Sequence, residues 1–420
     1  MLNINTIINN PEEIKSKLLN RGYVLNTNAI VKIYNERKDL IKTKENIAAD
    51  KNKLNDNFRD AASEREKNKI KKQSQDFEKE IAKNKILLEE KELELNKLLL
   101  DIPNIPLSDV PIGTDESANK VIKSWGTPKK HNFEHSSLFA KNGLLDFELG
   151  AKLSKTRFVV MKGEIAKLHR SLISYMISQH TNNNNYVEYN VPYIVNSTSM
   201  MGTGQLPKFE DDLFKVKVKD SDLYLIPTAE VPLTNLYRDK ILNETDLPIY
   251  MVAHTPCFRS EAGSYGKDTK GIIRQHQFEK VELVHITKPD DAERSLDLIT
   301  DHAEKIMESL EIPYQRVLLS TGDLGFSSSK TFDIEAWFPS QECYREISSC
   351  SLFSDFQSRR LNIKFKNQLT KKKEFVSTLN GSGLAIGRTM AALIENHTDG
   401  KVIKIPKALQ PFTGFEIIKL

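Results

Sequence analysis

Two stretches hold most of the side chains suited to work on a charged substrate. The first is Thr255-Pro256-Cys257-Phe258-Arg259-Ser260-Glu261, and the second runs from Ile272 to Glu282 with Arg274 and Phe278 inside it. In a strand every second side chain shares a face, so Arg259 and Glu261 point one way, and Arg274, Phe278 and Glu282 do the same on theirs. The polar, Gly-containing segment from Ala262 to Gly271 is expected to return the chain as a hairpin. One sheet face then presents two guanidiniums, an aromatic plane and two carboxylates. Guanidinium forks clamp phosphate oxygens. An aromatic face stacks a base, and a carboxylate accepts from an exocyclic amine. The same pattern also describes a solvent-facing strand laced with ion pairs, and spacing alone does not choose between the two.

Three further segments have site character. Ile226 to Glu230 places Thr228 and Glu230 on one strand face, with Ala229 between them. Tyr344 to Ser349 sets Glu346 beside two hydroxyls, Ser348 and Ser349, a donor set for a hard cation. Asn380-Gly381-Ser382-Gly383, then Gly387-Arg388, leads into an apolar helix with Met390, Leu393 and Ile394, which puts Arg388 near a helix N-terminus, where anions are favoured. Each segment also reads as an ordinary turn or sheet edge, where Gly and Ser are common. There is no GxxxxGK[ST] loop, no GxGxxG opening a helix after a strand, and no HExxH. His254, His276 and His285 fall in or near strands and read as structural residues rather than metal ligands.

These residues need elements to hold them. The chain has 420 residues, 61 basic and 57 acidic, a net charge of +4 that neither demands nor excludes a nucleic-acid partner. Three cysteines without CxxC spacing exclude a disulfide framework and fit a reducing compartment. No signal peptide, Arg-rich presequence or membrane span is evident, so a soluble, cytoplasmic protein with no membrane contact is expected.

Residues 29 to 99 lack proline and glycine, and Ile33, Leu40, Ile47, Leu54 and Ala61 recur every seven residues, as do Ser74, Ile81, Leu88 and Leu95, with Ile70 and Phe77 in companion positions. Such a repeat buries a narrow seam against a partner helix. The off-pattern run Arg65 to Lys69 marks the expected turn of an antiparallel coiled-coil hairpin. Its helices, at 1.5 Å per residue, would be about 50 Å long and would project from the body. Arg65, Lys67, Lys69, Lys71 and Lys72 cluster at its tip, either as a solvated end or as a phosphate-contacting surface.

Pro103, Pro106 and Pro111 stiffen the segment after the hairpin, so the boundary is set between an arm domain, 1–103, and a second domain, 104–420. In the second domain, helical patterns at 164–180 and 290–310 accompany strand-like runs at 247–260, 272–286 and 331–338, with a loop at the four asparagines 182–185. Strands come in clusters, which predicts an α+β domain with an antiparallel sheet flanked by helices.

Taken in order, these segments resemble the three signature motifs of class II aminoacyl-tRNA synthetases, and the whole chain resembles bacterial-type seryl-tRNA synthetases. The matching stretches are Gly202–Phe209, Pro227–Asn235, His254–Gly266, Arg345–Ser351, Asp355–Arg360 and Thr378–Ala385. Residues 131–147 match loosely. Asn185 stands before Tyr186 where the first motif has a glycine, and Asn tolerates positive φ.

The resemblance implies activation of L-serine with ATP, transfer to serine tRNA, and charging of selenocysteine tRNA where one exists. By position, it implies that Arg259 grips the α-phosphate and the serine carboxylate, within an ATP site that also includes Ser260, Ile347 and Ser348. Glu261 would meet the adenine amine and Phe278 would stack the ring. Arg274 and Arg388 would bind the outer phosphates, and Arg259 and Arg388 would be the catalytic cations. Glu346 and Ser349 would hold Mg²⁺. Strict alternation faces Glu346 with Ser348 instead, so the Ser349 assignment needs a bulge or a turn. Thr228, Ala229, Glu230, Glu282, Asn380 and Ser382 would shape a serine pocket that works without zinc, with Glu282 first to read the hydroxyl. A homodimer is implied, with one subunit's hairpin carrying tRNA to the other's active site. Two rivals are a relative that loads a carrier protein, which lacks the hairpin, and a non-catalytic RNA-binding scaffold, which has no need of Arg259, Glu261, Glu346 and Arg388.

Overall fold

The structure is a computed structural model, and it describes residues 1–60, 63–139, 142–262 and 271–420. It divides into two compact units, one of residues 2–19 and 23–102, the other of residues 1, 20–22 and 103–420. No helix among the described residues is long and apolar enough to cross a membrane.

The first unit is dominated by α1, Thr27–Asp60, and α2, Glu64–Leu100, which run antiparallel. Heptad residues Ile33, Ile47 and Leu95 are buried between them, while Leu40, Leu54, Ile81 and Leu88 are half-buried. Ion pairs cross the seam at Arg37–Glu92 (2.9 Å), Lys91–Glu36 (2.8 Å) and Lys51–Glu78 (2.8 Å), and Lys71 lies 6.0 Å from the Phe58 ring. These partners are spaced evenly about the point where the chain reverses.

That point is not Arg65–Lys69. Arg65–Lys69 are already helical, within α2, which begins at Glu64. Ser63 and Glu66 form a capping box: Ser63 Oγ accepts from the Glu66 N–H at 3.3 Å, and Glu66 Oε2 accepts from the Ser63 N–H at 3.2 Å. This box starts the helix on a polar run of good helix formers, and no turn residue interrupts it. Ala61 lies outside the described residues.

The main elements of the second unit, in chain order, are β1 Lys120–Trp125, α3 Gly163–Asn183, β2 Val187–Glu188, α4 Glu230–Asn235, β3 Ile249–Phe258, β4 Gln277–Thr287, α5 Ala292–Ser309, β5 Tyr314–Leu318, β6 Lys330–Phe338, β7 Cys343–Ser354, β8 Ser377–Ala385 and α6 Ile386–His397. Among the described residues, eight strands form one sheet in the order β1-β5-β6-β7-β8-β4-β3-β2. Every neighbouring pair is antiparallel except the short edge pair β2–β3. This is the expected α+β arrangement.

Side-chain alternation splits the sheet's faces. Val281 and Leu283 of β4 enter a core with Leu296, Ile299, Ala303 and Ile306 of α5 and Met390, Leu393 and Ile394 of α6. Burying each large aliphatic side chain contributes about 1.5–3 kcal/mol. Phe278, Lys280 and Glu282 have the opposite parity. Two glycines let the helices approach β8: a Cβ on Gly381 would lie 3.1 Å from Ile299 Cγ1 of α5, and one on Gly383 would lie 2.6 Å from His180 Nε2 of α3. Asn380 and Ser382 alternate with them toward the other face.

The run of asparagines is only partly a loop. Asn182 and Asn183 complete α3, held by side-chain bonds to Ser178 Oγ (3.0 Å) and Gln179 Oε1 (2.7 Å) one turn back. Asn185 adopts φ 59°, the left-handed turn that its position requires.

Candidate active site

The sheet face that Phe278, Lys280 and Asn380 share carries a cleft of about 600 Å³. Arg259, Phe278 and Arg388 share its wall, with Glu261, Arg274, Glu346 and Ser349. Arg259 follows directly on β3. Its N–H donates to the His276 carbonyl at 2.9 Å, its Nε to the Pro227 carbonyl at 3.3 Å, and its guanidinium lies 5.1 Å from the centroid of the Phe278 ring. A cation and an aromatic ring are therefore neighbours on the cleft wall.

Strand alternation is not what gathers this group. β3 ends at Phe258 and β4 begins at Gln277, so Arg259, Glu261 and Arg274 lie outside the strands. Glu261 has φ 54°, and its Oε2 accepts from Arg274 Nη1 at 2.6 Å. The expected hairpin loop falls largely on residues 263–270, outside the described residues.

Arg388 is the third residue of α6. It donates from Nε to the Ile273 carbonyl (2.9 Å) and from Nη1 to the Glu346 carbonyl (2.9 Å), and pairs with Glu346 Oε2 at 3.2 Å. Desolvation alone would raise the Glu346 carboxyl, but Arg388 and then Arg259 outweigh it and hold it below the ordinary carboxylate range.

The bulge that Ser349 needs is present. On β6, Ile334 pairs with Ser348 but the next residue, Glu335, pairs with Glu346, so Ile347 is the extra residue. The phase of β7 shifts there, and both Glu346 and Ser349 reach the cleft. Ile347 also contributes to its wall. Ser348 does not. It is buried and donates from Oγ to the Ser382 carbonyl at 2.6 Å. Ser260 is directed elsewhere too, its Oγ donating to the Asp211 carbonyl at 2.5 Å.

At the other end of the cleft, Thr228, Glu230, Asn380 and Ser382 converge. Residues 226–230 are not a strand but a turn into α4, which starts at Glu230. Pro227 disfavours a central strand here. The Thr228 hydroxyl accepts from the Glu230 N–H at 3.3 Å. Ala229 packs into a hydrophobic cluster with Leu233 and Met251, away from the cleft wall.

The Asn380 amide bridges two buried carboxylates, donating to Glu230 Oε2 at 3.1 Å and to Glu282 Oε1 at 3.0 Å. Gln357 donates to Glu230 Oε1 at 2.6 Å. Burial raises the Glu230 carboxyl to about 7, against the Gln357 bond and with the help of Glu282. Burial also raises Glu282, despite an ion pair with Lys280.

Lys280 and Gln357 are site residues that sequence reasoning does not single out. Lys280 has the parity of Phe278 and Glu282, which is a readable signal. Gln357 meets Glu230 only through the tertiary fold. The three strand histidines have structural partners: His254 with Glu279 (2.8 Å), His276 with the Arg259 carbonyl (3.0 Å), and His285 with Ser295 (2.7 Å) and Tyr186 (2.5 Å).

The five basic residues of the hairpin lie in the first turns of α2. Helical spacing puts Arg65, Lys69 and Lys72 on one side and Lys67 and Lys71 on the other. All but Lys67, which pairs with Glu64 at 4.0 Å, are exposed.

An antiparallel sheet flanked by helices, with a cleft lined by arginines, an aromatic ring and carboxylates, has a counterpart in a known family. The tRNA synthetase class II core domain (G, H, P, S and T) matches residues 214–397. Fold and cleft thus belong to a class II aminoacyl-tRNA synthetase. The seryl-tRNA synthetase N-terminal domain matches residues 1–106. The serine–tRNA ligase of Francisella philomiragia is 49% identical over 422 residues, 99% of each chain. The chain belongs to the seryl-tRNA synthetase family, the ATP-dependent ligases that join serine to tRNA.

Solved structures agree. The seryl-tRNA synthetase from Pyrococcus horikoshii, complexed with ATP, superposes with a TM-score of 0.91 at 34% identity, covering 100% of this chain and 99% of that one. The cytoplasmic serine–tRNA ligase from Naegleria fowleri, in complex with AMP, gives 0.88 at 29% identity with the same coverage.

Proposed function

We propose that the cleft activates serine in place, with Arg259 at the centre of the reaction. A serine carboxylate oxygen attacks the α-phosphorus of ATP, the bond to the β-phosphate bridge breaks, and seryl-adenylate and pyrophosphate result. The nucleophile is ionised at neutral pH, so no side-chain nucleophile is required. The protein supplies position and fixed positive charge. Arg259 holds the α-phosphate and the serine carboxylate. Phe278 stacks the adenine and Glu261 meets its amine. Arg274 and Arg388 bind the outer phosphates. Thr228, Glu230, Asn380 and Ser382 enclose the serine. In the second step a terminal ribose hydroxyl of the tRNA attacks the adenylate carbonyl and AMP leaves.

The donor set suits Mg²⁺. Glu346 and Ser349 offer hard oxygen ligands on one face, and Asp333, paired across the strands with Ser349, has an Oδ1 without a hydrogen-bond partner among the described residues. Glu346 and Ser349 would hold the ion, which neutralises phosphate charge when bound.

The basic residues in the first turns of α2 grip the backbone of serine tRNA, reading shape rather than bases. The working form is a cytoplasmic homodimer in which the hairpin of one subunit presents tRNA to the other. The observation that carries this reading is that Arg259, Phe278, Glu346 and Arg388 line one cleft. Serine-dependent ATP–pyrophosphate exchange tests it, with threonine and alanine as controls. Exchange that ignores serine would sink the reading.

A further inference from the structure

Between the helix Phe356–Leu361 and β8 the chain makes a short ribbon. Lys364–Lys366 pairs antiparallel with Lys373–Phe375 and, on its other side, parallel with Ile241–Asn243. From Phe356 to Lys373 the sequence has seven basic side chains and no acidic one, against 61 and 57 in the whole chain.

Strand parity sets Lys364 and Lys366 on one face and turns Phe365 into the hydrophobic cluster with Leu361, Ile363 and Val376. Glu374 is paired with Phe365 and shares its parity, away from the lysines. Lys373 stands directly across from Lys366, and like charges in register cost stability. Lysine on an edge strand guards against sheet-to-sheet pairing. Lys373 is on such an edge, but Lys366 is on the central strand of the three, so edge protection does not account for it. The Phe375 ring has the Arg359 guanidinium 4.4 Å and Lys364 Nζ 4.8 Å from its centroid. Asp355 pairs with Arg359, and among the described residues none of Lys364, Lys366, Lys371, Lys372 and Lys373 has an acid partner. All of these lysines but Lys364 are exposed.

A row of ammonium groups without acid partners matches a row of phosphates, which an RNA duplex presents along its backbone. Both ends of the ribbon lead to the cleft. Gln357, before it, donates to Glu230, and Thr378, after it, donates to Gln357 Oε1 at 2.8 Å. We propose that this ribbon is a second RNA-contacting surface, separate from the basic residues of α2, that holds the backbone of the tRNA stem adjoining the reacting terminal ribose. It goes beyond the proposed reading of the cleft as the active site and rests on it for the choice of stem. The contacts position the RNA and carry no sequence information, since lysines act as point charges. Leu369, 93% exposed within the loop of the ribbon, would matter to a lipid surface and not to a phosphate row.

The test is binding and charging of serine tRNA by the full chain. Lys366→Thr/Lys372→Thr/Lys373→Thr should weaken tRNA binding about tenfold and reduce the slope of log K against log salt by about two to three. The KM for tRNA should rise by the same factor. Serine-dependent exchange should stay within about twofold, which also reports an intact fold. The matching triple arginine variant keeps the charge and should bind like wild type.

An unchanged salt slope and tRNA KM in the threonine variant would overturn the proposal. Loss of exchange in that variant would overturn it too, because the ribbon would then act by shaping the cleft. Binding to phosphatidylserine vesicles that Leu369→Ser abolishes, with tRNA binding kept in the threonine variant, would assign the face to a lipid surface instead. Wild-type exchange that ignores serine is a separate failure: it removes the cleft reading, while tRNA binding by the ribbon is still measured directly.

Discussion

In the hairpin, Arg65, Lys69 and Lys72 stand in water, and the ion pairs across the seam, such as Lys51–Glu78, are largely exposed. In the cleft, Lys280 touches Thr228 and Glu282, and one amide joins two buried acids. An exposed pair contributes about 0–1 kcal/mol. Breaking a buried one costs about 3–5 kcal/mol, because the survivor is left uncompensated. The difference teaches where function is concentrated. The arm is built from many small, interchangeable contributions. The cleft is built from a few that do not substitute for one another.

The sharpest way to break this contrast is at its extreme. On the proposed mechanism one cation serves both phosphate and carboxylate, so Arg259→Ala should lower exchange at least about a thousandfold while circular dichroism stays unchanged. Substantial exchange in the folded variant would remove Arg259 from the mechanism.

Next in size is loss of the arm. Deleting residues 35–92 should reduce tRNA charging by about a hundredfold or more and leave exchange within about twofold. Loss of both activities would mean that the two regions are not separable.

Glu230 sharpens the comparison through pH. Its folded value of about 7 lies above the ordinary 4.5. Its contribution to stability is therefore complete below about pH 4.5 and is lost as pH rises through 7, a change of about 3 kcal/mol without substrate. Against Glu230→Gln, wild type should lose stability over that window in urea unfolding. Parallel curves would show that burial does not strain this carboxyl.

Phe278→Ala should raise the KM for ATP about tenfold, the scale of one stacked base. The smallest effect belongs to the arm again. Lys69→Ala should weaken tRNA binding only about two- to threefold and lower its salt dependence by about one counter-ion. A loss as large as that of a cleft residue would erase the distinction between arm and cleft.

The two regions also differ in how far their sequences can be read. The heptads announce the hairpin, because seven-residue spacing is a local property. The position of its turn is harder to read, because Ser63 and Glu66 cap the helix earlier than the charge run suggests. The antiparallel sheet follows from clustered strands, and most cleft residues from motif resemblance. Spacing alone fails for Arg259, Glu261 and Arg274, which backbone turns rather than strand parity bring together. Gln357 is illegible because it lies 127 positions from Glu230. The Lys280–Glu282 pair is readable by parity and easily overlooked, since lysines are rarely placed indoors.

The extra residue at Ile347 has a consequence for how this protein can vary. Downstream of it, every side chain of β7 owes its orientation to an odd count. Exchanging Ile347 for another apolar residue preserves that count, whereas deleting it reverses left and right for the remainder of the strand and turns Ser349 inward. Evolution can therefore edit the letters of this stretch far more freely than its length.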